Sequence, residues 1–542
     1  MKVKSILVSM FALAALASCN NDDEIVNNIP SEKSTGAYLS LAINMPQSTP
    51  GTRAAGPNDG GPGNAPGESY EQTVKTALVV GLLEDNSVEV YELKTSGVPN
   101  ELGTPGVSGS AAVAGDAFQV SPKLKKIFVV LNPSATAKKQ ITTANGAMSS
   151  VQVFKAIKEE VTAISSTTDG FMMTSEGSID NGAWTEVTPT IATSDAASDI
   201  VAAKDAAKDA AEEVKVDRTV SKITLAVTAP TVENGTASVD KFLMNTTNKS
   251  YFPYADLVDY TVTAPAVAAK YRKDPNWTKL VLAADGTGTA ADAFNWLHNE
   301  EAYTWLAPGV STYCHENTME AAAQDYNNTT KMVIKAQFAP TGVTLGESWF
   351  RVGGVIMTFD ELNVSYKDAS AIDKKKYEAF LDKLLNVVDK DGNIITARTK
   401  GWKGEGKATV VTLADLDAVS DGGYKAATVK NQTIDGNDTN MYLIEYYQES
   451  VCYYDVNIKH DNRVDAKLLG RWGMVRNNWY TLTVNKISKP GKPYIPDPTD
   501  PDITDPTNPD PENPTPDDQD AAFISVSIAV NNWTTWSQGV DL

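Results

Sequence analysis

The sequence is poor in the side chains that most enzymes and metal sites use. Only three histidines occur among 542 residues, and His298, His315 and His460 are scattered along the chain, which is typical of incidental positions. No zinc-ligand spacing, nucleophile elbow or glycine-rich phosphate loop is present. These absences predict a protein that is not an enzyme, with no catalytic residues and neither a metal nor a cofactor.

Basic residues are also scarce. The chain has 47 Lys and Arg against 68 Asp and Glu, which gives a formal net charge of -21 at pH 7. Nucleic-acid binding needs clustered cations that neutralise phosphates, so this balance excludes nucleic acid as a partner. Beyond residue 20, no apolar run reaches the roughly 20 residues that a membrane span needs. The body of the protein is therefore predicted not to cross a membrane.

The first of only three cysteines ends a predicted targeting segment. Two lysines precede an apolar stretch, residues 6–16, as in a secretory signal. The tetrapeptide Leu16-Ala17-Ser18-Cys19 resembles the lipobox of bacterial lipoproteins, in which residues 1–18 are removed and Cys19 is acylated. A plain signal peptide with an incidental cysteine is the alternative. The lipobox predicts a precursor that contacts a membrane only through its lipid.

The other two cysteines, Cys314 and Cys452, lie far apart in the body of the chain. They do not form a disulfide framework. A single bond between them in an oxidising compartment and two buried free thiols are both consistent with the sequence.

The body of the chain shows the alternation and β-branched composition of a mainly β protein. Two helical inserts are predicted, at residues 151–164 and 195–214, and a new strand at residue 220 begins a second sandwich domain. A further helix over 369–388 carries an apolar stripe that faces the core. The stripe consists of Tyr377, Phe380, Leu381, Leu384 and Val388, and the predicted strands cover residues 76–83, 87–93, 126–131, 220–227, 332–338, 409–413 and 479–487.

Two segments have the composition of linkers. Residues 46–67 are crowded with Gly, Pro, Asn and Ser, and they contain Arg53, the first arginine of the chain. Residues 490–520 are rich in Pro, Asp, Thr and Asn and are predicted to form a stiff, solvated tether. Proline-rich chain extends by about 3.1 Å per residue, so the tether could span roughly 90 Å.

The strand before the first linker and the strand after the tether have similar sequences. Residues 39–44 read LSLAIN and residues 526–531 read VSIAVN, so each predicts a strand with aliphatic residues on one face and small or polar residues on the other. The first strand precedes a loop that a protease can cut, and the last one follows a tether that can reach another molecule. The pattern predicts that cutting removes the first strand and that the C-terminal strand of a neighbour fills its place.

Several marks in this order resemble the fimbrillins of type V pili, in particular the Mfa-like shaft subunits of minor fimbriae. They are the lipobox, residues 51–55, 126–132, 171–174 and 475–485, the Pro/Asp tether and the Trp-containing tail. The resemblance implies two transthyretin-like β-sandwich domains, export as a lipoprotein, arginine-directed removal of the first strand and assembly by strand exchange.

The domain organisation and site residues follow from this resemblance. The implied segments are a signal peptide at 1–18, a propeptide at 19–53, sandwich domains at 54–216 and 217–489, the tether at 490–520 and a donor strand at 521–542. The implied sites are lipidation at Cys19, cleavage between Arg53 and Ala54, a removable strand with Leu39, Leu41, Ile43 and Met45, and a donor strand with Ile524, Val526, Ile528, Val530 and Trp533.

The resemblance also implies partners and a location. The partners are other copies of the chain in a head-to-tail polymer, fimbrial anchor and tip subunits, and an arginine-specific protease. The precursor would be lipid-anchored at the outer membrane, and the mature protein would form fimbriae on the cell surface that support adhesion. Having both a severable strand and a donor strand fits the shaft position.

Three other interpretations remain open. Trp296, Trp305 and Trp349 could form a stacking platform for glycans on a monomeric lipoprotein, although core packing is the simpler explanation. Two of the many carboxylates could serve a glycoside hydrolase. Residues 389–393 resemble part of a calcium loop but lack its third oxygen ligand and its closing glutamate, so a turn after a helix explains them better.

Overall fold

The structure is a computed structural model, and most of the chain is described. The described residues are 36–44, 64–94, 114–143, 155–177, 184–263, 266–281, 288–297, 303–325, 327–388, 393–418, 432–434, 437–439, 444–461, 463–495 and 523–534.

The first part of the chain is built from short and medium strands with two helices. The strands are β1 (Ala37–Leu39), β2 (Leu41–Asn44), β3 (Asn64–Pro66), β4 (Thr76–Leu83), β5 (Val88–Lys94), β6 (Phe118–Val120), β7 (Leu124–Leu131), β8 (Ile157–Lys158), β9 (Ser165–Ser166), β10 (Gly170–Phe171), β11 (Met173–Ser175), β12 (Thr185–Glu186), β13 (Thr190–Ile191) and β14 (Glu212–Arg218). The helices are α1 (Ala135–Thr143) and α2 (Ala197–Asp209), with 3-10 turns at Ser69–Gln72 and Val161–Ala163.

The rest of the chain contains longer strands and a helical insertion. The strands are β15 (Val220–Val232), β16 (Gly235–Asn245), β17 (Thr247–Asn248), β18 (Ser250–Tyr251), β19 (Asp256–Thr263), β20 (Ala266–Lys273), β21 (Phe294–Asn295), β22 (Ser311–His315), β23 (Lys331–Pro340), β24 (Trp349–Val352), β25 (Val355–Met357), β26 (Val387–Val388), β27 (Ile394–Thr396), β28 (Lys400–Gly401), β29 (Thr409–Val410), β30 (Gln432–Ile434), β31 (Asn437–Thr439), β32 (Ile444–Tyr447), β33 (Val451–Asn457), β34 (Asn478–Ile487) and β35 (Ile524–Thr534). The helices are α3 (Thr289–Ala293), α4 (Phe359–Asp368), α5 (Ala371–Leu385) and α6 (Leu413–Asp417), with 3-10 turns at Ala321–Ala323 and Gln448–Ser450.

The first sandwich packs a seven-stranded sheet against a small sheet. The large sheet has the order β2-β14-β11-β7-β4-β5, with β12 also paired to β7, and the small sheet has the order β13-β1-β6. Its central strands β4 and β7 are runs of aliphatic and aromatic residues that are buried on both faces, as expected for strands in the middle of a covered sheet. One core therefore joins β1 and β2 to the centre of this domain.

The second sandwich packs a five-stranded sheet, β22-β15-β34-β35-β3, against the sheet β16-β23-β33. The alternating inward residues of β15, β34 and β23 form its core, together with Cys314 and Cys452. Both cysteines are free thiols in the structure, and burial raises the pKa of each to about 12. The free form is thus the one observed, and neither thiol is poised to react.

A helical insertion between β24 and β32 has its own small core. Thr358 and Glu361 form a capping box at the start of α4, and the Ser370 side chain caps α5 by accepting a hydrogen bond from the Asp373 backbone N–H. In α5 the predicted stripe is buried at Tyr377, Phe380, Leu381 and Leu384. Val388 lies beyond the helix in β26, because α5 ends at Leu385.

The mainly β prediction with helical inserts is confirmed, and two boundaries differ from it. No α-helix forms in the described part of the predicted insert 151–164; residues 155–164 instead contain β8 and a 3-10 turn, with Ile157 and Ile164 buried. The predicted helix at 195–214 stops at Asp209, and Val214 belongs to β14. In both places β-branched residues that suit a helical spacing also suit a strand in tertiary contact.

The sheets change at Thr219. β14 ends at Arg218 in the first sandwich, and β15 begins at Val220 in the second. The predicted domain boundary between 216 and 217 therefore falls inside β14, and we place it after this strand. Across the described ranges, no helix is long and apolar enough to span a membrane.

Candidate assembly interface

The predicted removable strand forms β1 and β2, which are buried in the first sandwich. Leu39, Leu41 and Ile43 are 3%, 2% and 4% exposed. β2 lies at the end of the large sheet, parallel to β14, and β1 lies between β13 and β6 in the small sheet. This segment passes from one sheet to the other, so it contributes to both layers. Met45 lies outside the described residues.

The opposite face of this segment is covered as well. Tyr38 packs against Ala203 and Ala207 of α2, and Ser40 is buried, with its hydroxyl donating to the Gly115 carbonyl at 2.7 Å. The alternation predicted from LSLAIN had placed Ser40 outward, and Tyr38 lies just before that segment. They are buried because α2 and the chain around Gly115 cover the second face. Together β1, β2 and their surroundings form what we term the first-strand slot.

The predicted donor strand forms β35, and it lies in the second sandwich of its own chain. It pairs antiparallel with β34 from Ile524, opposite Ile487, to Asn532, opposite Asn478. Ile524 and Ile528 are 4% and 6% exposed in the second core. This location differs from the free tail that the sequence suggests, because the aliphatic face of β35 also fits the edge of β34 within the same chain.

The other predicted donor residues also lie in or beside this ladder. Val526 is half-buried opposite Val484. Val530 pairs with Tyr480, and Trp533 pairs with Ala65 of β3; their side chains lie outside the described part of the chain. The structure therefore keeps the two predicted strands in different sandwiches.

The predicted tether begins as packed chain. The Tyr447 hydroxyl donates to the Gly491 carbonyl at 3.0 Å, Lys492 exchanges backbone hydrogen bonds with Tyr453, and Tyr494 and Ile495 are buried. The prediction of a solvated tether from residue 490 is wrong for these residues, because Tyr494 is buried and Ile495 packs against Tyr453 of β33. Residues 496–522 lie outside the described ranges.

The two ends of the connection between β34 and β35 lie close together. The Ser488 N–H donates to the Phe523 carbonyl at 2.9 Å, and the ammonium group of Lys489 lies 5.6 Å from the Phe523 ring centroid. In this conformation the connection closes a loop within one subunit.

A short strand after the predicted cleavage site covers the other edge of β35. β3 runs parallel to β35, with Asn64, Ala65 and Pro66 opposite Asn532, Trp533 and Thr534. β35 is thus an inner strand over part of its length, between β34 and β3. Arg53 and Ala54 themselves lie outside the described residues, as does Cys19.

β3 leads directly into a buried carboxylate at the junction of the two sandwiches. The Glu71 carboxylate lies 2.8 Å from the Lys222 ammonium group, and it accepts hydrogen bonds from the Tyr313 hydroxyl at 2.5 Å and the Glu68 N–H at 2.6 Å. Arg218 Nε donates to the Glu71 carbonyl at 3.0 Å. We term this group the Glu71 anchor.

Further buried ion pairs lie around this anchor, and one of them joins β14 of the first sandwich to β20. Arg272 pairs with Asp217 at 2.6 Å, and Asn477 donates to the same carboxylate at 2.6 Å. Arg476 pairs with Glu316 at 3.0 Å. Breaking one member of such a buried pair usually costs about 3–5 kcal/mol. The sequence did not predict these residues as a group, although a charged residue beside apolar strand residues, as at Asp217, Arg218 and Arg476, is a signal for buried pairing.

The histidines have structural contacts in this region. His315 Nε2 lies 2.8 Å from the Glu159 carbonyl and its ring stacks on Tyr251, while burial lowers its pKa. His460 Nδ1 lies 2.9 Å from the Tyr480 hydroxyl. His298 lies outside the described residues. Among the residues that are described, no group of histidine, cysteine and carboxylate side chains could hold a metal ion.

The tryptophans do not share one surface. Trp349 is fully buried, with its ring stacked on Tyr447 at 3.9 Å between centroids. Trp305 packs near Tyr453, and Trp296 packs near Phe294 in a different cluster. The three rings therefore do not form the platform that a glycan site would need.

Comparison with known proteins identifies the C-terminal part of the chain. Residues 445–539 match the family model described as major fimbrial subunit protein type IV, fimbrillin, C-terminal. Residues 445–539 are therefore similar to the C-terminal region of fimbrillins. This match confirms the resemblance to fimbrillins that the sequence motifs predict, and the fimbrillin region includes β33, β34 and β35.

The solved structures to which this chain is similar include three that are described as adhesion or fimbrial proteins. A candidate cell adhesion protein from Parabacteroides distasonis is 11% identical, with 93% of this chain and 100% of that chain covered and a TM-score of 0.41. The tip fimbrial protein Mfa3 from Porphyromonas gingivalis, with a C-terminal truncation, is 9% identical, with 92% and 100% covered and a TM-score of 0.31. A fimbrial assembly protein from Parabacteroides distasonis is 13% identical, with 57% and 83% covered and a TM-score of 0.25.

These TM-scores are too low to transfer the partners of any of these proteins to this fimbrillin-like chain. No curated protein sequence matches it.

Proposed function

We propose that this chain is the shaft subunit of a bacterial surface fimbria and that it polymerises by exchanging strands between copies. The fimbrillin C-terminal region supports the fimbrial role. The observation that carries the mechanism is the first-strand slot, in which a segment buried on both faces is joined to the rest of the chain only through residues 45–63, which contain Arg53.

Cleavage between Arg53 and Ala54 would separate β1 and β2 from the chain. Their loss would open the edge of β14 and uncover the core around Leu39, Leu41 and Ile43. Burying an aliphatic side chain contributes roughly 1.5–3 kcal/mol, so an empty slot favours a replacement strand of the same pattern. The sequence of β35 has that pattern.

Exchange then requires β35 to leave its own β34 and to enter the slot of a neighbour. Each subunit both accepts and donates a strand, and this head-to-tail contact continues into a filament because it does not close on itself. Anchor and tip subunits would end the filament. The role in adhesion belongs to the same proposal.

The maturation steps are proposed with it. Acylation of Cys19 would hold the precursor at the outer membrane, and an arginine-specific protease would release the mature subunit to the cell surface. Metabolic labelling with a fatty acid should mark the precursor and should be lost in Cys19→Ala. Label that persists in this variant would contradict lipidation at Cys19.

Electron microscopy before and after cleavage tests the central claim. The purified precursor should be monomeric, and treatment with an arginine-specific protease should produce fibres as intact mass shows the loss of residues up to Arg53. The matched control Arg53→Ala should keep its N-terminal segment and remain monomeric under the same treatment. Normal fibres from Arg53→Ala would contradict cleavage at this site as the trigger.

A further inference from the structure

We propose that β3 is a clasp that retains β35 in its own subunit until the chain is cut after Arg53. This inference rests on the proposed function, since it concerns how the donor strand of that function is released. It goes further by assigning a regulatory role to residues 64–66, which the cut leaves in the mature subunit.

The clasp closes an edge that would otherwise be open. An edge strand presents unpaired backbone groups and frays more readily than an inner strand. β34 pairs with one side of β35, and β3 pairs with the other side at Asn532, Trp533 and Thr534. These residues lie at the C-terminal end of β35, the end at which detachment can begin because its start is held by the Ser488–Phe523 hydrogen bond.

β3 is held from both directions in the uncut chain. Downstream, the Glu71 anchor fixes the following turn through Lys222, Tyr313 and Arg218. Upstream, residues 45–63 connect β3 to Asn44 at the end of the buried β2. A segment fixed at both ends loses less conformational entropy on pairing than one with a free end.

A cut after Arg53 would change only the upstream restraint. β3 would then follow a free N-terminus that begins at Ala54, while the Glu71 anchor would remain. One cut would therefore have two effects: it makes the first-strand slot available and it weakens the clasp on the strand that fills the slot in a neighbour. Before the cut, the precursor keeps its slot filled and its donor strand covered.

Hydrogen–deuterium exchange of peptides from β35 tests the clasp in the full-length chain. The reference is Arg53→Ala, which cannot be cut at this site. Adding Ala65→Pro removes a backbone donor from β3, in which Pro66 already lacks one, and adding Ala65→Val keeps the donor as a matched control. We expect exchange in β35 to become at least about tenfold faster with Ala65→Pro and to stay unchanged with Ala65→Val.

The cut wild-type protein, isolated as a monomer at low concentration, provides a second measurement that needs no clasp variant. Its β35 peptides should also exchange faster than those of the uncut reference, while peptides from β4 and β7 should not. Unchanged β35 exchange in both Ala65→Pro and the cut monomer would overturn the clasp. Faster exchange without fibre formation after cutting would support the clasp and contradict the proposed function instead.

Discussion

The strands β1 and β2 in the first-strand slot and the strand β35 in the second sandwich have the same sequence pattern but are covered to different extents. β1 and β2 are covered on both faces by two sheets and α2, yet they are joined to the molecule through one linker with an arginine. β35 is covered mainly on one face, with Ser525 exposed and Val526 and Ser527 half-buried, and it continues from a long connection. The better-packed strand is thus the one that the proposed cleavage would remove.

This difference suggests a direction for strand exchange. In the proposed exchange β35 would move from a position covered mainly on one face into a slot covered on both faces, and each further aliphatic side chain that becomes buried contributes roughly 1.5–3 kcal/mol. The residues of β35 are smaller on one face than those of β1, since Ser525 corresponds to Tyr38 in the alignment of the two segments. Because Ile524 and Ile528 are already buried in the second sandwich, the half-buried Val526 is the described aliphatic residue of β35 that would gain burial in the proposed exchange.

Deleting residues 523–542 should have the largest effect on this comparison. Fibres should be absent after cleavage because no donor strand remains. The second sandwich should also lose roughly 3–6 kcal/mol of unfolding free energy, because Ile524 and Ile528 leave its core. Denaturant unfolding and electron microscopy measure the two effects. Wild-type stability in the truncated chain would show that β35 does not belong to its own sandwich.

Two aspartate substitutions, one in β2 and one in β35, distinguish the strand that cleavage would remove from the strand that would remain in the subunit. Leu41→Asp and Ile528→Asp should each cost about 3–5 kcal/mol of unfolding free energy in the uncut chain, since each buries an unpaired carboxylate. After cleavage, Leu41→Asp should assemble normally because residue 41 has been removed, whereas Ile528→Asp should not form fibres.

Ser527→Asp is the control on the other face of β35, where the side chain is half-buried. It should cost less than about 1 kcal/mol of unfolding free energy and should leave fibre formation intact. Equal damage from Ser527→Asp and Ile528→Asp would contradict the assignment of the aliphatic face.

The smallest expected effect concerns pH and the carboxyl of Asp274, which lies neither in the first-strand slot nor in β35. Burial raises the pKa of Asp274 from 3.8 to about 8, although it accepts hydrogen bonds from the Thr318 and Asn276 N–H groups. The folded state then holds this proton to higher pH than the unfolded state, so its contribution to stability is complete below about pH 4 and is lost as pH rises to about 8.

Asp274→Asn should flatten the dependence of the unfolding free energy on pH between 5 and 8, whatever its effect at a single pH. Denaturant unfolding across that range measures the slope. A slope equal to that of the wild type would show that Asp274 is ionised in the folded chain. Fibre formation after cleavage should change little, because neither strand position contacts this carboxyl directly.

The strands with the strongest patterns were predictable from local sequence. Residues 76–83 and 126–131 are long aliphatic runs, and they form β4 and β7 nearly as predicted. The predicted strand at 409–413 is only β29 followed by α6, because Thr412 and Asp415 form a capping box that starts a helix. Short segments of this kind depend on capping and tertiary contacts more than on composition.

The candidate interface was predictable in part. The similarity of residues 39–44 and 526–531 revealed two strands of one pattern, and the structure places both in sandwich cores at Leu39, Leu41, Ile524 and Ile528. The Glu71 anchor was not predictable, because its partners Lys222 and Tyr313 lie far away in sequence and no spacing connects them.

The sequence by itself determined the mainly β architecture, the export signal pattern, the arginine in a Gly/Pro linker and the fimbrillin resemblance, because each depends on residues that are close together in the chain. Only the tertiary structure decided that β35 pairs with β34 of its own subunit and that β3 covers its other edge. The alternation of aliphatic residues predicts which face of a strand is apolar, but it does not predict which sheet edge the strand pairs with. That choice depends on long-range packing, between residues 37 positions apart at Ile487 and Ile524 and 468 positions apart at Asn64 and Asn532.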